Sequence, residues 1–150
     1  MGAKHIVLTG RTVPSLQAQE AITNLQQLGI DVKIVNADIS VVSEVKQLVD
    51  SIEKTSFALK GIIHAAGVLD DAPIINQNFD KYLKVANSKI LGTWNLHNAT
   101  INDDLDFFVM FSSIASLMGN AGQANYAAVN AFMDSFAMYR NSQKHKTISI

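Results

Sequence analysis

The sequence predicts an α/β fold built on a doubly wound parallel sheet. Two observations predict it. Five apolar, strand-like runs alternate with stretches of helical periodicity, and that alternation gives a parallel sheet covered by helices on both faces. No internal repeat, low-complexity tract or linker interrupts it, so residues 1–150 are expected to form a single domain.

The first run, His5–Thr9, lies in HIVLTGRT. After it Ala18, Ala21, Ile22, Leu25 and Leu28 recur at helical spacing, and Gly29 sits where a helix C-cap belongs. The second run is Val32–Asn36. Ser40 is then the expected N-cap of a helix whose stripe is Val42, Val45, Leu48, Val49 and Ile52. Gly61–His64 is the third run, followed by a longer helix over roughly Asp80–Ala99. Phe107–Phe111 is the fourth, and a helix follows from about Gln123 to Arg140. Thr147–Ile150 is the fifth, cut off where the sequence ends.

Composition narrows the function classes. With 48% apolar and 17% charged residues the chain is expected to be soluble and globular, and its net charge of −1 gives no electrostatic reason to expect nucleic acid or an anionic membrane as partner. It has no cysteine, which excludes disulfides, thiolate metal sites and cysteine nucleophiles, and no metal site is expected. The N-terminus lacks the basic-then-apolar pattern of a signal peptide, and the apolar run around FFVMF is far too short to span a bilayer. A cytoplasmic protein is expected.

The stretch HIVLTGRT decides where in the sheet the chain starts. In a doubly wound dinucleotide fold the strand order is 3-2-1-4-5-6, and a glycine-rich loop after the first strand cradles the pyrophosphate. Here no glycine occurs between Gly10 and Gly29, and Pro14 and Leu16 would stand where close backbone approach needs glycine. HIVLTGR is therefore assigned as the second strand, with Arg11 just past its tip, where a 2′-phosphate would lie. The third strand ends in Asn36-Ala37-Asp38-Ile39 and the fourth in His64-Ala65-Ala66-Gly67, with one helix between them as this order requires. The expected sheet is Rossmann-like but incomplete: its first strand and glycine-rich loop are absent and its last strand is truncated. His5–Thr9 and Gly61–His64 would then border a one-strand slot, open to self-association or aggregation.

The chemistry is expected in FSSIASLMGNAGQANYAAVNAF, residues 111–132. Ser113 ends a buried strand, Tyr126 begins a helix thirteen residues later, and Asn130 lies one turn further on the same face. Reducing a ketone by hydride needs a proton donor for the developing alkoxide and a hydrogen bond to polarise the carbonyl. Tyrosine is a poor acid–base at neutral pH unless a cation lies close; Lys89, on the preceding long helix, can supply that charge. Serine can hold the carbonyl oxygen, and Asn130 can anchor a water or the lysine. Taken singly, each residue has an ordinary structural role; it is their joint pattern that points to chemistry.

These residues lie within segments that resemble the ketoreductase domain of modular polyketide synthases, a branch of the short-chain dehydrogenase/reductase superfamily. The matching pieces are GAKHIVLTGR, NADIS, GIIHAAGVLDDAP, SKILGTWNLH, LDFFVMFSSIAS and GNAGQANYAAVNAF, which cover essentially the whole chain. Most short-chain reductases carry Tyr-x-x-x-Lys, whereas Asn130 follows Tyr126 at that distance; in the polyketide branch lysine and asparagine exchange places, and Lys89 stands where the exchanged lysine belongs.

The resemblance implies NADPH-dependent reduction of a β-ketoacyl group on the phosphopantetheine arm of an acyl carrier protein, beside the other synthase domains, in polyketide or fatty acid synthesis. It implies Tyr126 as proton donor, Ser113 as carbonyl-polarising partner, Lys89 as the cation that lowers the tyrosine pKa, and Asn130 as support. On the cofactor side it implies Arg11 at the 2′-phosphate, Asp38 and Ile39 beside adenine, and Ala65, Ala66 and Gly67 along the adenosine ribose; Asp71 and Gln123 fall on the substrate side. His64 is expected to be a packed strand-end histidine. Leu69-Asp70-Asp71 resembles the motif of B-type ketoreductases, which give the 3R alcohol, and Ala128 is not the proline of epimerising B-types. Two alternatives are a non-catalytic structural fragment of a synthase and a free-standing reductase of a small ketone.

Overall fold

In the computed structural model, which describes residues 2–150, the strands form two parallel groups. β1 (His5–Gly10) pairs with β2 (Asp31–Asn36), with His5 opposite Asp31 and Gly10 opposite Asn36. β3 (Gly61–His64), β4 (Phe107–Met110) and β5 (Thr147–Ser149) form the second group, with β4 in the middle. These are strands 3-2 and 4-5-6 of the expected order. Among the described residues β1 has β2 as its one strand partner, and β3 has β4. Leu8 on β1 and Ile63 on β3 are 39% and 65% exposed.

The helices follow the apolar stripes, with three differences. α1 (Leu16–Gln27) is capped by the Ser15 hydroxyl and ends, through its C-cap Leu28, two residues before Gly29, whose φ of +77° lets the chain turn into β2. α2 (Val42–Glu53) buries Val45, Leu48 and Val49, but Ser40 is not its N-cap. Val41 holds that position; the Ser40 N–H and hydroxyl both donate to Asp38 Oδ1, at 2.9 and 2.7 Å. Glu44 reaches back from the first turn to accept from the Asp38 N–H at 2.7 Å, tying the preceding loop to the helix start. The second difference is the long helix. It divides into α3 (Phe79–Ala86), a π turn (Asn87–Leu91) and α4 (Gly92–Ala99). The third is a one-turn helix, α5 (Ala115–Met118), before α6 (Ala124–Ser142).

The core lies around β4, whose Phe108 and Met110 are wholly buried. Ile39, Val45, Val49 and Leu96 pack with them, as do Met133, Phe136 and Ala137 of α6. A buried phenylalanine in such a place holds roughly 3–5 kcal/mol of stability. Beside it lies an unusual polar group: Arg140, 1% exposed, stacks 4.3 Å from the Phe108 ring centre and donates Nε–H to Thr147 Oγ1 at 2.9 Å.

Arg140 also bonds His97 Nδ1. A guanidinium only donates, so Nδ1 must be the unprotonated acceptor and His97 must be neutral. Burial, then the Arg140 and His145 charges, push its pKa down to about 4; burial and then Lys89 do the same to His64. Both folded values lie below the unfolded value, so the unfolded chain takes up protons first as pH falls from about 6.5 toward 4. Stability is therefore expected to fall across that window, by roughly 3 kcal/mol from the enclosed His64 alone. Urea denaturation at pH 7 and pH 4.5 measures this; equal stability at the two values would contradict it.

Candidate active site

At the C-terminal end of β4 the chain leaves the sheet through Phe111, Ser112 and Ser113, and this edge gathers the predicted residues. Lys89, at the centre of the π turn, is 4% exposed. Its Nζ donates to the Phe111 carbonyl at 2.7 Å, contacts Met133 Sδ at 3.6 Å, and lies 5.4 Å from the centre of the Tyr126 ring. Burial lowers its pKa to about 8, with Asp134 opposing the shift, so the group is a cation at neutral pH. Tyr126, half-buried, sits in the first turn of α6 and packs against Val85, Ala86 and Val129.

Asn130 is wholly buried one turn further along α6. Its Nδ2 donates to the Tyr126 carbonyl at 2.8 Å, while its Oδ1 has no protein partner. A buried acceptor without a partner suits a bound water. Ser113 Oγ accepts from the Ala115 N–H at 3.2 Å, which leaves the hydroxyl proton free to donate elsewhere. α5, the turn that begins beside Ser113, packs on α6.

The acidic loop is tied down from both sides. Asp70 takes Lys81 and Lys84 at 2.5 and 2.9 Å, which lower its pKa, Lys81 more than Lys84. Asp71 accepts from Gln123 Nε2 at 2.9 Å, so the two residues expected on the substrate side hold each other, and Ala72 N–H bonds the Gly122 carbonyl at 2.9 Å. Asn125 donates to the Asp70 carbonyl at 2.9 Å and caps the Tyr126 N–H at 2.8 Å.

On the other side of the sheet edge, Arg11 is 59% exposed and lies 4.0 Å from Asp38, a long contact that leaves most of its donors free. The Asp38 carboxyl is held below its usual range chiefly by the Ser40 hydroxyl, against a smaller opposing effect of burial. Ile39 does not present its side chain here: it is buried in the core, and its carbonyl accepts from Asn95. Ala65, Ala66 and Gly67 form an exposed run after β3. A Cβ on Gly67 would come 3.1 Å from Lys89 Cε, so the absent side chain keeps the surface over Lys89 clear. Arg11 offers an exposed guanidinium of the kind that holds a phosphate. For the pyrophosphate the sequence holds no glycine-rich cradle.

Asp134 was not singled out from the sequence. It lies two turns past Tyr126 on α6. Burial works to raise its pKa, but the hydroxyls of Ser116, Ser149 and Ser112 and the charge of Lys89 outweigh it and hold it ionised. Its eight-residue spacing from Tyr126 was the available signal; its serine partners come from three separate segments and left none.

Comparison with known proteins gives the family and agrees with the fold. The profile of the KR domain family matches residues 1–150. The chain is similar to the highly reducing polyketide synthase cnsI of Penicillium expansum, at 40% identity over 142 residues, 94% of this chain and 6% of that one. It is similar to the polyketide synthase PksN of Bacillus subtilis (strain 168), at 39% identity over 137 residues, 91% of this chain and 2% of that one. It thus spans a small part of these relatives. Among solved structures, the N-terminal ketoreductase from the macrolactin assembly line superposes with a TM-score of 0.90 at 39% identity, over 97% of this chain and 30% of that one. A ketoreductase domain from the bacillaene assembly line gives 0.92 at 38%, over 97% and 36%. A structure of A-type ketoreductases gives 0.91 at 35%, over 99% and 31%. A Rossmann-like α/β sheet, a tyrosine and a buried lysine at its C-terminal edge, and a family match over every residue lead to one conclusion: the chain belongs to the ketoreductase (KR) domain family of polyketide synthases.

Proposed function

We propose that the chain carries the proton-donating half of an NADPH-dependent β-ketoacyl reductase of B-type, acting on chains bound to an acyl carrier protein. The observation that carries this is the buried Lys89 ammonium, 5.4 Å from the Tyr126 ring, at the edge where Ser113 leaves β4. Ser113 and Tyr126 donate hydrogen bonds to the ketone oxygen. The bound cofactor supplies the hydride. As the carbonyl carbon gains its new C–H bond, the oxygen becomes an alkoxide and takes the phenolic proton of Tyr126, leaving a hydroxyl. The Lys89 charge stabilises the phenolate that remains, and Asn130 Oδ1 holds a water behind it.

Arg11 holds the 2′-phosphate, Asp38 borders adenine on the framework that buried Ile39 fixes, and Ala65, Ala66 and Gly67 line the ribose. The acidic loop, with Asp71 bound to Gln123, sets the face from which the ketide enters. The relatives are multidomain synthases, which supports other synthase domains and a carrier protein as partners over a free-standing reductase.

One assay tests the reading: reduction of a β-ketoacyl thioester by the protein supplemented with the strand, glycine-rich loop and helix that precede β1 in the expected order, with chiral analysis of the product under each cofactor. The 3R alcohol is expected, with NADPH preferred over NADH. Arg11→Ala should narrow that preference by about ten- to a hundredfold, the range for a charge-assisted bond of roughly 1.5–3 kcal/mol. A 3S product would refute the B-type assignment, and equal use of both cofactors would refute the role of Arg11.

A further inference from the structure

Lys89 is the one buried lysine among the described residues, and the backbone beneath it is irregular. In the π turn the Gly92 N–H reaches back five residues to the Asn87 carbonyl. In an α-helix it would bond the Ser88 carbonyl, so Ser88 loses its ordinary partner. The extra residue also turns everything after it by about 100° relative to an unbroken α-helix. That rotation lets Val85 and Ala86 on one side, and Thr93, Leu96 and His97 on the other, all be buried while Lys89 still faces β4.

Two buried side chains meet the turn. His64, at the end of β3, is 3% exposed, and its ring lies against the Ser88 carbonyl, close enough for that carbonyl to act on its protonation. Its Nε2 is buried without a partner. Close approach here depends on Gly92: a Cβ at that position would lie 2.6 Å from Ile39 Cδ1 and 3.7 Å from His64 Nε2. Thr93, wholly buried, donates its hydroxyl to the Lys89 carbonyl at 2.5 Å. The turn is thus met by two buried side chains, the His64 ring packed against it and the Thr93 hydroxyl bonded to the Lys89 carbonyl.

We propose that His64 and Thr93 are positioning residues that hold the π turn open, and so fix the Lys89 ammonium against the Phe111 carbonyl beside the Tyr126 ring. What this place is for rests on the ketoreductase reading; the place itself is tested without turnover. If the turn relaxes to α-helix, Lys89 leaves its enclosed position and regains water. Its neighbours of variable charge are Asp134 and Tyr126 from α6 and His64 from β3; His64 is neutral near pH 7 and contributes no charge of its own.

The test is competitive acetylation of the whole protein across a pH series. Peptide mass spectrometry reads the labelling midpoint of Lys89, and hydrogen exchange of β4 amides is followed in the same digests. The unaltered protein should give a Lys89 midpoint near 8. In His64→Phe, which removes the ring N–H but keeps an aromatic ring, the midpoint should rise by about one unit or more toward that of a solvated lysine, with β4 protection retained. Thr93→Val should do the same and Thr93→Ser should not. An unmoved midpoint in His64→Phe overturns the role of His64. Should β4 protection be lost in that variant, the Thr93 pair decides, and equal behaviour of Val and Ser at position 93 overturns the proposal. Failure of the reductase reading would show instead as absent turnover in the protein supplemented with the first strand, glycine-rich loop and helix, with the Lys89 midpoint still moving as described.

Discussion

Tyr126→Phe is expected to lower kcat for ketone reduction by about 10²–10⁴-fold, the range that a positioned general acid contributes. The substitution removes a single oxygen. The ring keeps its packing against Val85, Ala86 and Val129, and the Asn130 hydrogen bond to the residue 126 carbonyl does not involve the side chain. Folding should therefore be unchanged and cofactor affinity nearly so, which places the loss in the chemical step and not in KM. Single-turnover reduction at saturating NADPH, in the protein supplemented with the first strand, glycine-rich loop and helix, measures it. A variant with more than about a tenth of the parent rate would mean that the proton comes from elsewhere, since a lost general acid costs at least about a hundredfold. The same mechanism predicts that the rate falls above about pH 8 as Lys89 loses its proton.

Much of this was legible because the relevant physics is local in sequence. The strand runs were found to within a residue or so, since buried parallel strands are short apolar blocks. Gly29 marked the end of α1 because a turn at φ of +77° requires it. Tyr126, Asn130 and Lys89 were legible by pattern, and the structure shows why their spacing carries information. Four residues along α6 bring Asn130 to the Tyr126 carbonyl, while Lys89 comes to the same edge through a crossover that ends beside Phe111. The π turn left no such mark. NSKIL has ordinary helical composition, and the irregularity is set by partners far along the chain, His64 at β3 and Ile39 before α2. Ser40 misled for the reverse reason: a serine before an apolar stripe is a sound cap signal, but Asp38 competes for its hydroxyl at shorter range. Asn125 carried no pattern at all, because its partner Asp70 lies 55 residues away.

Supplying an upstream strand, glycine-rich loop and helix, the strand to lie between β1 and β3 in the sheet, is expected to convert the 150-residue chain from inactive to active, the other large effect. β1 bonds β2 and β3 bonds β4, and the order 3-2-1-4-5-6 places one further strand between the two groups. Neighbouring strands lie about 4.8 Å apart, so two strands flanking one position are separated by roughly 10 Å. Each bordering strand then offers a row of backbone donors and acceptors together with exposed apolar side chains, Leu8 on one and Ile63 on the other. Such edges pair with whatever strand is at hand, so the chain alone should self-associate in a concentration-dependent way. The added loop matters for chemistry as well as packing. Arg11 and Gly67 are proposed for the adenosine end of the cofactor, and the pyrophosphate needs backbone N–H groups at a helix N-terminus after a glycine-rich loop, which these 150 residues do not contain. Light scattering and turnover of a generic bicyclic ketone, with and without that segment supplied by fusion or in trans, form the test. Supplementation should give a monodisperse protein that oxidises NADPH. Robust NADPH oxidation by the 150 residues alone would show that HIVLTGR is not the second strand of the sheet.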